Sequence, residues 1–348
     1  MPARGKATIR DVACQAGVST ATVSRVLSNH GPVSEDVRMR VQQAINTLGY
    51  RPNRIARSFR TQRSNFIGLI ISDVENPFYT SLVRAVEDTA YAQGYSLLLC
   101  NSDEDVEKER AYIQFMADER VAGVIGSPAS EQETSFAPLF DAGIPVVSVD
   151  RRSLRTPVDT VLLDNLASAR DLTRYLIARG HRRIAAILPN VSITSGRERL
   201  AGFVQAMQEA GLRVDPALIC EGKGFEAFGM QAMRHLLGLS DPPTAIFAGN
   251  NLITLGVLKA LQEHGLRMAE DIDVAGHDEM PWMSLLAKPI IVAAQPIREM
   301  GQRAMDLLLA RMNGDAQPPR EVKLPPRLVV HQQLNATAKA AACGEARR

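Results

Sequence analysis

Polar side chains with complementary hydrogen-bonding chemistry follow six apolar runs in this sequence, and aromatic residues accompany them. Carboxylates and amides accept and donate hydrogen bonds at fixed angles, and arginine offers a planar fork of donors. Aromatic rings can cover the apolar faces of a sugar, so this combination suits a site for a polyol such as a monosaccharide. The candidates for such a site are Asp73, Asn76, Phe78, Tyr79, Asp150, Arg151, Arg152, Ser195, Arg197, Arg199, Asn250, Asn251, His277, Asp278, Trp282 and Gln295.

The alternative interpretation is that each of these polar residues only caps the helix that follows it, as Asp and Asn often do. For a single residue the two interpretations are about equally good. Six such positions in one chain favour the binding site.

The apolar runs themselves predict the elements that position these residues. Nine runs are typical of strands: FIGLII, YSLLLC, VAGVIG, IPVVSV, TVLLDN, RIAAIL, TAIFAG, IDVAGH and IIVAAQ. Amphipathic stretches of helical length lie between several of them, at 78–93, 107–118, 168–179, 198–209 and 252–264. Alternating strands and helices predict α/β lobes, each a doubly wound parallel sheet with helices on both faces, and ligands bind beyond the carboxyl ends of such strands. We expect the acidic run DEDVEKER at 103–110 to be a solvated helix start.

A second group of candidates lies in TIRDVACQAGVSTATVSRVL, from Thr8 to Leu27. Ser and Thr are mediocre inside helices, so their concentration there suggests a role other than helix stability. Apolar stripes predict three short helices, with a turn at Gly17, Ser19 as the N-cap of the second helix, Ser34 before the third, and a stop at Gly49. The stripes are Ile9, Val12, Ala13 and Ala16, then Val23, Val26 and Leu27, then Val37, Val41, Ala44, Ile45 and Leu48.

Five residues lie off the stripe of the second helix: Thr20, Ala21, Thr22, Ser24 and Arg25. In a helix-turn-helix this face enters the major groove of DNA, where Arg25 can make a bidentate contact to guanine. Residues 1–63 contain eleven Lys or Arg and three Asp or Glu, a net charge of +8, whereas the remainder carries −6. A basic head on an acidic body indicates a polyanion partner for the head. The alternative is a helical hairpin without a ligand.

Other classes of protein receive little support. No Gly-rich phosphate loop follows a strand, G-x-S-x-G is absent, and the six histidines show no metal-ligand spacing, so we expect no enzyme, no metal and no cofactor. We expect His277 and Asp278, as neighbours at a strand end, to point apart. Four widely spaced cysteines indicate reduced thiols. No apolar run reaches the roughly 18 residues of a membrane span, and no secretory signal is visible, which predicts a cytoplasmic protein without a membrane partner.

The motifs TIRDVA, AGVSTATVSRVL, LGYRPNRIARS, NPFY, VDR, RLAGF, GHD and AQP, between about Thr8 and Gln333, resemble the lactose/galactose-repressor (LacI/GalR) family of bacterial transcription regulators. This resemblance implies a helix-turn-helix head in which Thr20, Ala21 and Arg25 read bases. It places Thr8, Ser19, Thr22, Ser24 and Asn29 near phosphates. The segment from Asn53 to Arg60 would be a hinge helix in the minor groove, with Asn53, Ala56 and Arg57 near the DNA and Phe59, where the family usually has Leu, as the wedge between base pairs. A basic linker is the alternative for this segment.

For the body, the resemblance implies a ribose-type periplasmic-binding-protein fold with an effector between two lobes. It favours Asn76, Phe78, Tyr79, Asp150, Arg151, Arg199, Asn250, Asp278 and Gln295 as contacts. With Ser195 and Trp282 we predict eleven effector-binding residues. Asn251 stands where an acid is common and His277 where an aromatic is common. Arg151, Arg152 and Arg199 together would tolerate a carboxylate or phosphate, so a monosaccharide and a sugar acid both fit, and a non-sugar ligand such as a purine remains an alternative.

The resemblance also predicts the organisation and the mechanism. We expect a head at 1–50, a hinge and linker at 51–64, a two-lobed domain at 65–335 and a disordered tail at 336–348. The first lobe would comprise about 65–165 and 296–324, and the second about 166–295 and 325–335. A homodimer bound to palindromic double-stranded DNA is expected, because one head reads only a half-site. The effector would relieve repression of sugar genes, with co-repression as the alternative.

Overall fold

The computed structural model describes residues 7–28, 32–50 and 64–331. It divides into two compact units, Met1–Ser64 and Asn65–Arg348. Five predicted DNA-contacting residues lie outside the described residues, as do most of the predicted hinge segment and the tail. These five are Asn29, Asn53, Ala56, Arg57 and Phe59.

The first unit contains the three predicted helices, α1 (Ile9–Ala16), α2 (Thr20–Ser28) and α3 (Glu35–Leu48). Gly17 ends α1 in the left-handed conformation (φ 64°), which glycine adopts without strain. The Ser19 hydroxyl accepts a hydrogen bond from the Thr22 amide at 3.1 Å, which confirms the predicted N-cap. Ser34 precedes α3 as expected, but its side chain makes no cap bond.

The second unit contains two six-stranded sheets. The first sheet comprises β1 (Phe66–Ile71), β2 (Ser96–Asn101), β3 (Gly123–Gly126), β4 (Val146–Val149), β5 (Asp159–Leu163) and β11 (Glu321–Leu324). The second comprises β6 (Ile184–Pro189), β7 (Ile219–Gly222), β8 (Ala245–Ala248), β9 (Asp273–His277), β10 (Ile290–Ala294) and β12 (Arg327–His331). The helices are α4 (Pro77–Ala92), α5 (Val106–Asp118), α6 (Ala137–Asp141), α7 (Asn165–Ala178), α8 (Thr194–Glu209), α9 (Glu226–Leu237), α10 (Asn251–Glu263) and α11 (Ile297–Met312), with short 3-10 turns at Pro216–Leu218 and Pro281–Leu285.

Strand order is β11-β5-β4-β3-β1-β2 in the first sheet and β12-β10-β9-β8-β6-β7 in the second. All neighbouring strands are parallel except β10 and β12, which are antiparallel. Apolar clusters cover both faces of each sheet, as continuous apolar strands require. We call the first sheet with α4–α6 and α11 the first lobe, and the second sheet with α7–α10 the second lobe.

The chain passes between the lobes after β5, after β10 and between β11 and β12. All nine predicted strands are present, and the predicted fold class is confirmed. Three strands were missed, β7, β11 and β12, because they lie at sheet edges and are only partly buried, so no continuous apolar run marks them. Within the described ranges, no helix is both long and apolar enough to cross a membrane.

Candidate functional site

A cleft of about 400 Å³ lies between the lobes at the carboxyl ends of their strands. Ten of the eleven residues that the sequence assigned to an effector lie at this cleft. The lining residues are Asp73, Asn76, Phe78, Tyr79, Glu104, Ala129, Asp150, Arg151, Pro189, Asn190, Ile193, Ser195, Arg199, Glu221, Gly222, Lys223, Gly224, Phe225, Asn250, Asp278 and Gln295. The strand-end rule therefore located the cleft, and contact with a ligand stays a prediction for each residue.

Two buried carboxylates line the cleft, one from each lobe. Asp150 follows β4 and Asp278 follows β9, and both adopt positive φ, 68° and 70°. Asp tolerates this left-handed conformation better than most side chains, and such backbone positions cluster at ligand sites. Asp150 accepts a hydrogen bond from the Tyr79 hydroxyl at 3.0 Å, and Asp278 accepts one from the Gln295 amide at 2.6 Å.

The two carboxylates differ in their ionisation. Burial raises the pKa of Asp150, against the opposing charges of Arg151 and Arg199. Burial also tends to raise the pKa of Asp278. Hydrogen bonds from His277 and Gln295 and the charge of Arg199 outweigh burial and lower this pKa to about 2. Asp278 is therefore ionised at neutral pH and is a strong acceptor for ligand hydroxyl groups.

Two arginines at the cleft are held by the protein itself. Arg199, on α8, donates from Nε to the Asn165 side chain at 2.9 Å and from Nη1 to the Gly249 carbonyl at 2.5 Å. Arg151 donates to Glu104 at 2.6 Å and to the Pro128 carbonyl at 3.2 Å. The Nε of Arg151 is buried without a hydrogen-bond partner among the described residues.

The prediction that Arg151, Arg152 and Arg199 act together at the site is wrong. Arg152 does not line the cleft, because its guanidinium bonds Glu198 at 2.8 Å and Glu321 at 2.7 Å. Arg197 likewise points elsewhere and pairs with Glu131 at 2.9 Å. An anion in the cleft would therefore meet only Arg151 and Arg199 of this set.

The prediction that Trp282 contacts an effector in the cleft is also wrong. Trp282 is absent from the cleft lining and packs half-buried against the apolar core of the second lobe. It also borders a separate apolar groove with Leu255 and Leu258 of α10. The turn Pro281–Leu285 directs it there, so its spacing from Asp278 along the chain did not predict its side of the lobe.

His277 and Asp278 do not point apart as expected. The Nδ1 of His277 lies 3.1 Å from Oδ1 of Asp278, and the Nε2 lies 3.0 Å from the Ser168 hydroxyl. Burial lowers the pKa of His277 to about 4, with a contribution from the Arg199 charge. The positive φ of Asp278 turns its side chain back towards the preceding residue, which strand alternation alone does not anticipate.

Helix capping and ligand binding are compatible at two of the cleft amides. The Asn76 side chain caps α4 by accepting from the Phe78 amide at 3.0 Å, and Asn250 caps α10 by accepting from the Ile253 amide at 2.7 Å. Both also line the cleft. Asn251 is buried beside them and donates to Asn76 at 3.0 Å.

The sequence missed several cleft residues, notably Glu104, Glu221, Lys223 and Phe225. The run 103–110 is not simply solvated: Glu104 pairs with Arg151, and Glu109 is buried and accepts from the Ala129 amide at 3.0 Å. Because 103–110 follows the predicted second strand, the strand-end rule could have found Glu104. The Glu221–Phe225 segment follows β7, whose weak apolar signal hid it.

In the first unit, the predicted DNA-reading residues share one surface of α2. Thr20, Ala21 and Arg25 are exposed, opposite the buried Val23 and Val26. The hydroxyls of Ser19 and Thr22 lie 2.9 Å apart at the start of the helix. Ser24 is half-buried on this helix. Thr8 forms a reciprocal capping box with Asp11 at the start of α1. Several of these hydroxyl groups therefore stabilise helix ends, and their contacts with DNA stay predictions.

A helix-turn-helix head with a two-lobed, cleft-bearing α/β body defines a ligand-regulated DNA-binding protein. Residues 64–332 match the family of periplasmic binding proteins and sugar-binding domains of the LacI family, and residues 8–53 match the bacterial regulatory proteins of the lacI family. The chain belongs to the LacI family, as its motifs indicated. It is a DNA-binding transcriptional regulator with an effector-binding domain.

Curated relatives and solved structures agree with this assignment. The chain is 35% identical over 330 residues to the HTH-type transcriptional repressor PurR of Edwardsiella ictaluri, covering 94% of this chain and 97% of that protein. It is similar to the lac repressor dimer bound to operator and the anti-inducer ONPF, with TM-score 0.81, 29% identity, and coverage of 93% and 97% of the two chains. A transcriptional regulator CelR–cellobiose complex matches with TM-score 0.71, 30% identity, and coverage of 93% and 99%. These relatives are regulators of transcription.

Proposed function

We propose that this regulator is a repressor of sugar uptake or catabolic genes, and that its effector is a neutral sugar bound in the cleft. The observation that carries the proposal is the presence of two buried carboxylates, Asp150 and Asp278, one from each lobe, at a cleft that also presents amides and aromatic rings. Carboxylates accept hydrogen bonds from hydroxyl groups, and Phe78 and Phe225 offer apolar surface for a sugar ring. CelR, a relative of similar fold, forms a complex with cellobiose.

The charges around the cleft favour a neutral ligand over a sugar acid. Five carboxylates line it, against three cationic side chains. The carboxylates are Asp73, Glu104, Asp150, Glu221 and Asp278, and the cations are Arg151, Arg199 and Lys223. Arg151 is already paired with Glu104, and Arg199 is bonded to protein acceptors. A ligand carboxylate would therefore enter a cleft of net negative charge, which costs free energy.

The linkage between cleft and operator follows from two-state thermodynamics. An effector that binds better to one arrangement of the lobes shifts the population towards it, and operator affinity changes by the same coupling factor. We propose that the protein binds its operators in the cytoplasm and that the sugar relieves repression by lowering the affinity for the operator. Co-repression would give the opposite change in DNA affinity.

We also assign a homodimer to this regulator. Exposed apolar side chains lie on both lobes: Val74, Leu99 and Phe115 on the first, and Leu285 on the second beside the groove at Trp282. The edge strand β2 contributes Leu99 to the first surface. A second copy that covers both surfaces by two-fold symmetry would bring two heads to a palindromic operator.

The test is a thermal-shift screen of the purified chain against D-ribose, D-glucose, cellobiose, D-gluconate, sugar phosphates and purines, followed by titration calorimetry of each hit. A ligand that binds the folded state raises the melting temperature by mass action. We expect a neutral sugar to bind, Asp278→Ala to abolish its binding, and Glu279→Ala to leave it unchanged. Glu279 is the matched control because it follows Asp278 but pairs with Arg327 outside the cleft. A response only to acids, phosphates or purines would contradict the proposal.

A further inference from the structure

Four buried residues form a continuous chain of polar contacts behind the cleft. The Asp278 carboxylate meets His277 Nδ1 at 3.1 Å, His277 Nε2 meets the Ser168 hydroxyl at 3.0 Å, and that hydroxyl lies 2.9 Å from the Asn165 carbonyl. Asn165, Ser168 and His277 are fully buried, and Asp278 is 3% exposed. Only Asp278 of these four lines the cleft. The chain therefore lies beneath the ligand site.

Counting hydrogens fixes the direction of these bonds. The Asp278 carboxylate has a pKa of about 2 and can only accept, so His277 carries its hydrogen on Nδ1 and donates it. The lowered pKa of His277 leaves its Nε2 without a hydrogen at neutral pH, so Nε2 accepts from the Ser168 hydroxyl. Ser168 has one hydroxyl hydrogen, so once it is donated to Nε2 the 2.9 Å approach to the Asn165 carbonyl is a contact within the first turn of α7 and not a second hydrogen bond. The charged groups that act on the ring are Asp278 on its own strand end and Arg199 from α8.

The helix that carries Ser168, α7, begins where the polypeptide crosses between the lobes. Asn165 is the first residue of α7 and follows β5 of the first lobe after a single residue. Its side-chain nitrogen Nδ2 donates to the Leu163 carbonyl at 3.2 Å, and its side-chain oxygen accepts from Arg199 at 2.9 Å. Two cleft residues are thus linked to the first turn of α7 at the crossover: Arg199 through Asn165, and Asp278 through His277 and Ser168.

Asp278 also keeps capacity for a ligand. A carboxylate offers about four acceptor positions. Protein donors approach three of them: His277 Nδ1, the Gln295 amide at 2.6 Å and the Asn251 backbone amide at 3.4 Å. These donors hold the carboxylate in one orientation, which reduces the entropy that ligand binding would otherwise cost, and they leave one acceptor position on Oδ2 for a ligand.

We propose that His277 is a positioning residue for the effector: it orients the Asp278 carboxylate and links it, through Ser168, to the first turn of α7 at the interlobe crossover. The inference rests on the proposed function, because it takes Asp278 as an effector contact. An aromatic ring alone at position 277 would fill the same space without either hydrogen bond. The histidine therefore contributes orientation as well as packing.

The first experiment uses the full-length chain without ligand. Long-range ¹H–¹⁵N spectra of protein labelled at histidine report the tautomer of each ring, and His277→Phe identifies the His277 signals by their loss. We expect the Nδ1–H tautomer, unchanged between pH 8 and pH 5.5, and a shift of the Nε2 resonance by several ppm in Ser168→Ala. An Nε2–H tautomer, or a spectrum indifferent to Ser168→Ala, would overturn the inference.

The second experiment measures binding by calorimetry with whichever of D-ribose, D-glucose or cellobiose binds. We expect His277→Phe to weaken binding at least tenfold, and Ser168→Ala and His277→Asn to weaken it several-fold, since Asn keeps a donor for Asp278. His181→Phe is the matched control: His181 contacts Asp273 at 2.8 Å and Thr244 at 3.0 Å, at the opposite end of β9. We expect it to leave binding unchanged.

The outcomes separate the two proposals. If Asp278→Ala binds the sugar as tightly as the wild type does, the proposed site is wrong. If Asp278→Ala loses binding but His277→Phe retains wild-type affinity, the positioning role is wrong and the site stands. If none of the three sugars binds, the spectra of the ligand-free protein decide the inference alone.

Discussion

The side-chain nitrogen Nδ2 of Asn251 donates a hydrogen bond of 3.0 Å to the side-chain oxygen of Asn76, and this bond joins the first turns of helices from opposite lobes. Asn76 needs the same oxygen to cap α4 through the Phe78 amide. The Asn251 backbone amide also approaches Asp278 at 3.4 Å. Position 251, where the family resemblance led us to expect an acid, thus forms a neutral link between the lobes.

Replacing Asn251 by Asp should weaken the contact between the lobes. The carboxylate cannot donate to Asn76 and lies near Asp278, so we expect a loss of about 1–3 kcal/mol in the free energy of unfolding. Urea unfolding measures it. Asn251→Ala removes the bond without adding charge and should cost less, and Asn190→Asp, on the cleft loop, keeps its acceptor for the Ser192 amide and should be neutral. Equal stability of Asn251→Asp and the wild type would contradict this role.

Arg25→Ala should reduce operator affinity by about 1–3 kcal/mol and relax the preference for one base pair in each half-site. Arg25 lies on the exposed surface of α2, where a guanidinium can reach a guanine edge. Selection of DNA from a random pool, followed by fluorescence anisotropy, measures both effects. Arg40→Ala is the control, because Arg40 pairs with Asp36 on α3. If Arg25→Ala weakened operator and scrambled DNA equally, Arg25 would be a phosphate contact.

Glu131 should hold the start of α8 in place. This buried carboxylate of the first lobe accepts from the amide and hydroxyl of Thr194 and from Arg197, and Ile193 cannot cap the helix itself. In Glu131→Ala we expect faster hydrogen exchange of the amides 194–197, measured by mass spectrometry. Glu131→Gln keeps an acceptor and should have a smaller effect.

Glu133→Ala is the control for this helix start, because Glu133 is exposed on the same loop. Unchanged exchange in Glu131→Ala would show that α8 begins without help from the first lobe. Slower exchange would contradict the capping role outright.

His277 should make folding stability depend on pH. Its pKa falls from 6.5 to about 4 on folding, so between these values the unfolded chain binds a proton that the folded chain does not. The stabilising contribution is therefore complete above about pH 6.5 and is lost as the pH falls to 4, by up to about 3 kcal/mol. The difference in unfolding free energy between the wild type and His277→Phe should change across this window. A constant difference would contradict the lowered pKa.

Leu285→Lys should weaken the dimer without destabilising the fold, because Leu285 is 81% exposed. A charge in an apolar interface must be desolvated when the subunits associate. Light scattering after size-exclusion chromatography, over a range of concentrations, measures the dimer fraction. Phe140→Lys is the control: Phe140 is 43% exposed on α6, outside both proposed surfaces. An unaffected dimer in Leu285→Lys would place the interface elsewhere.

The sequence determined most of the elements, including every central strand of the two sheets, and the edge at which the site lies. Continuous apolar runs such as FIGLII can be buried only inside a doubly covered sheet, and the residues after parallel strands must gather at one edge. Asp150, Asn250 and Asp278 were found in this way. The helical head was equally readable, because Gly17 and Ser19 act through local backbone geometry.

Tertiary structure decided what each polar group does there. Arg152 leaves the cleft because Glu198 and Glu321, distant in the chain, bind it first. Trp282 turns into the core, and Glu104 enters the cleft to meet Arg151. The Asp278–His277–Ser168 contacts join residues 109 positions apart. A sequence fixes which hydrogen bonds a side chain can make, but only the folded backbone brings one of its possible partners within 3 Å.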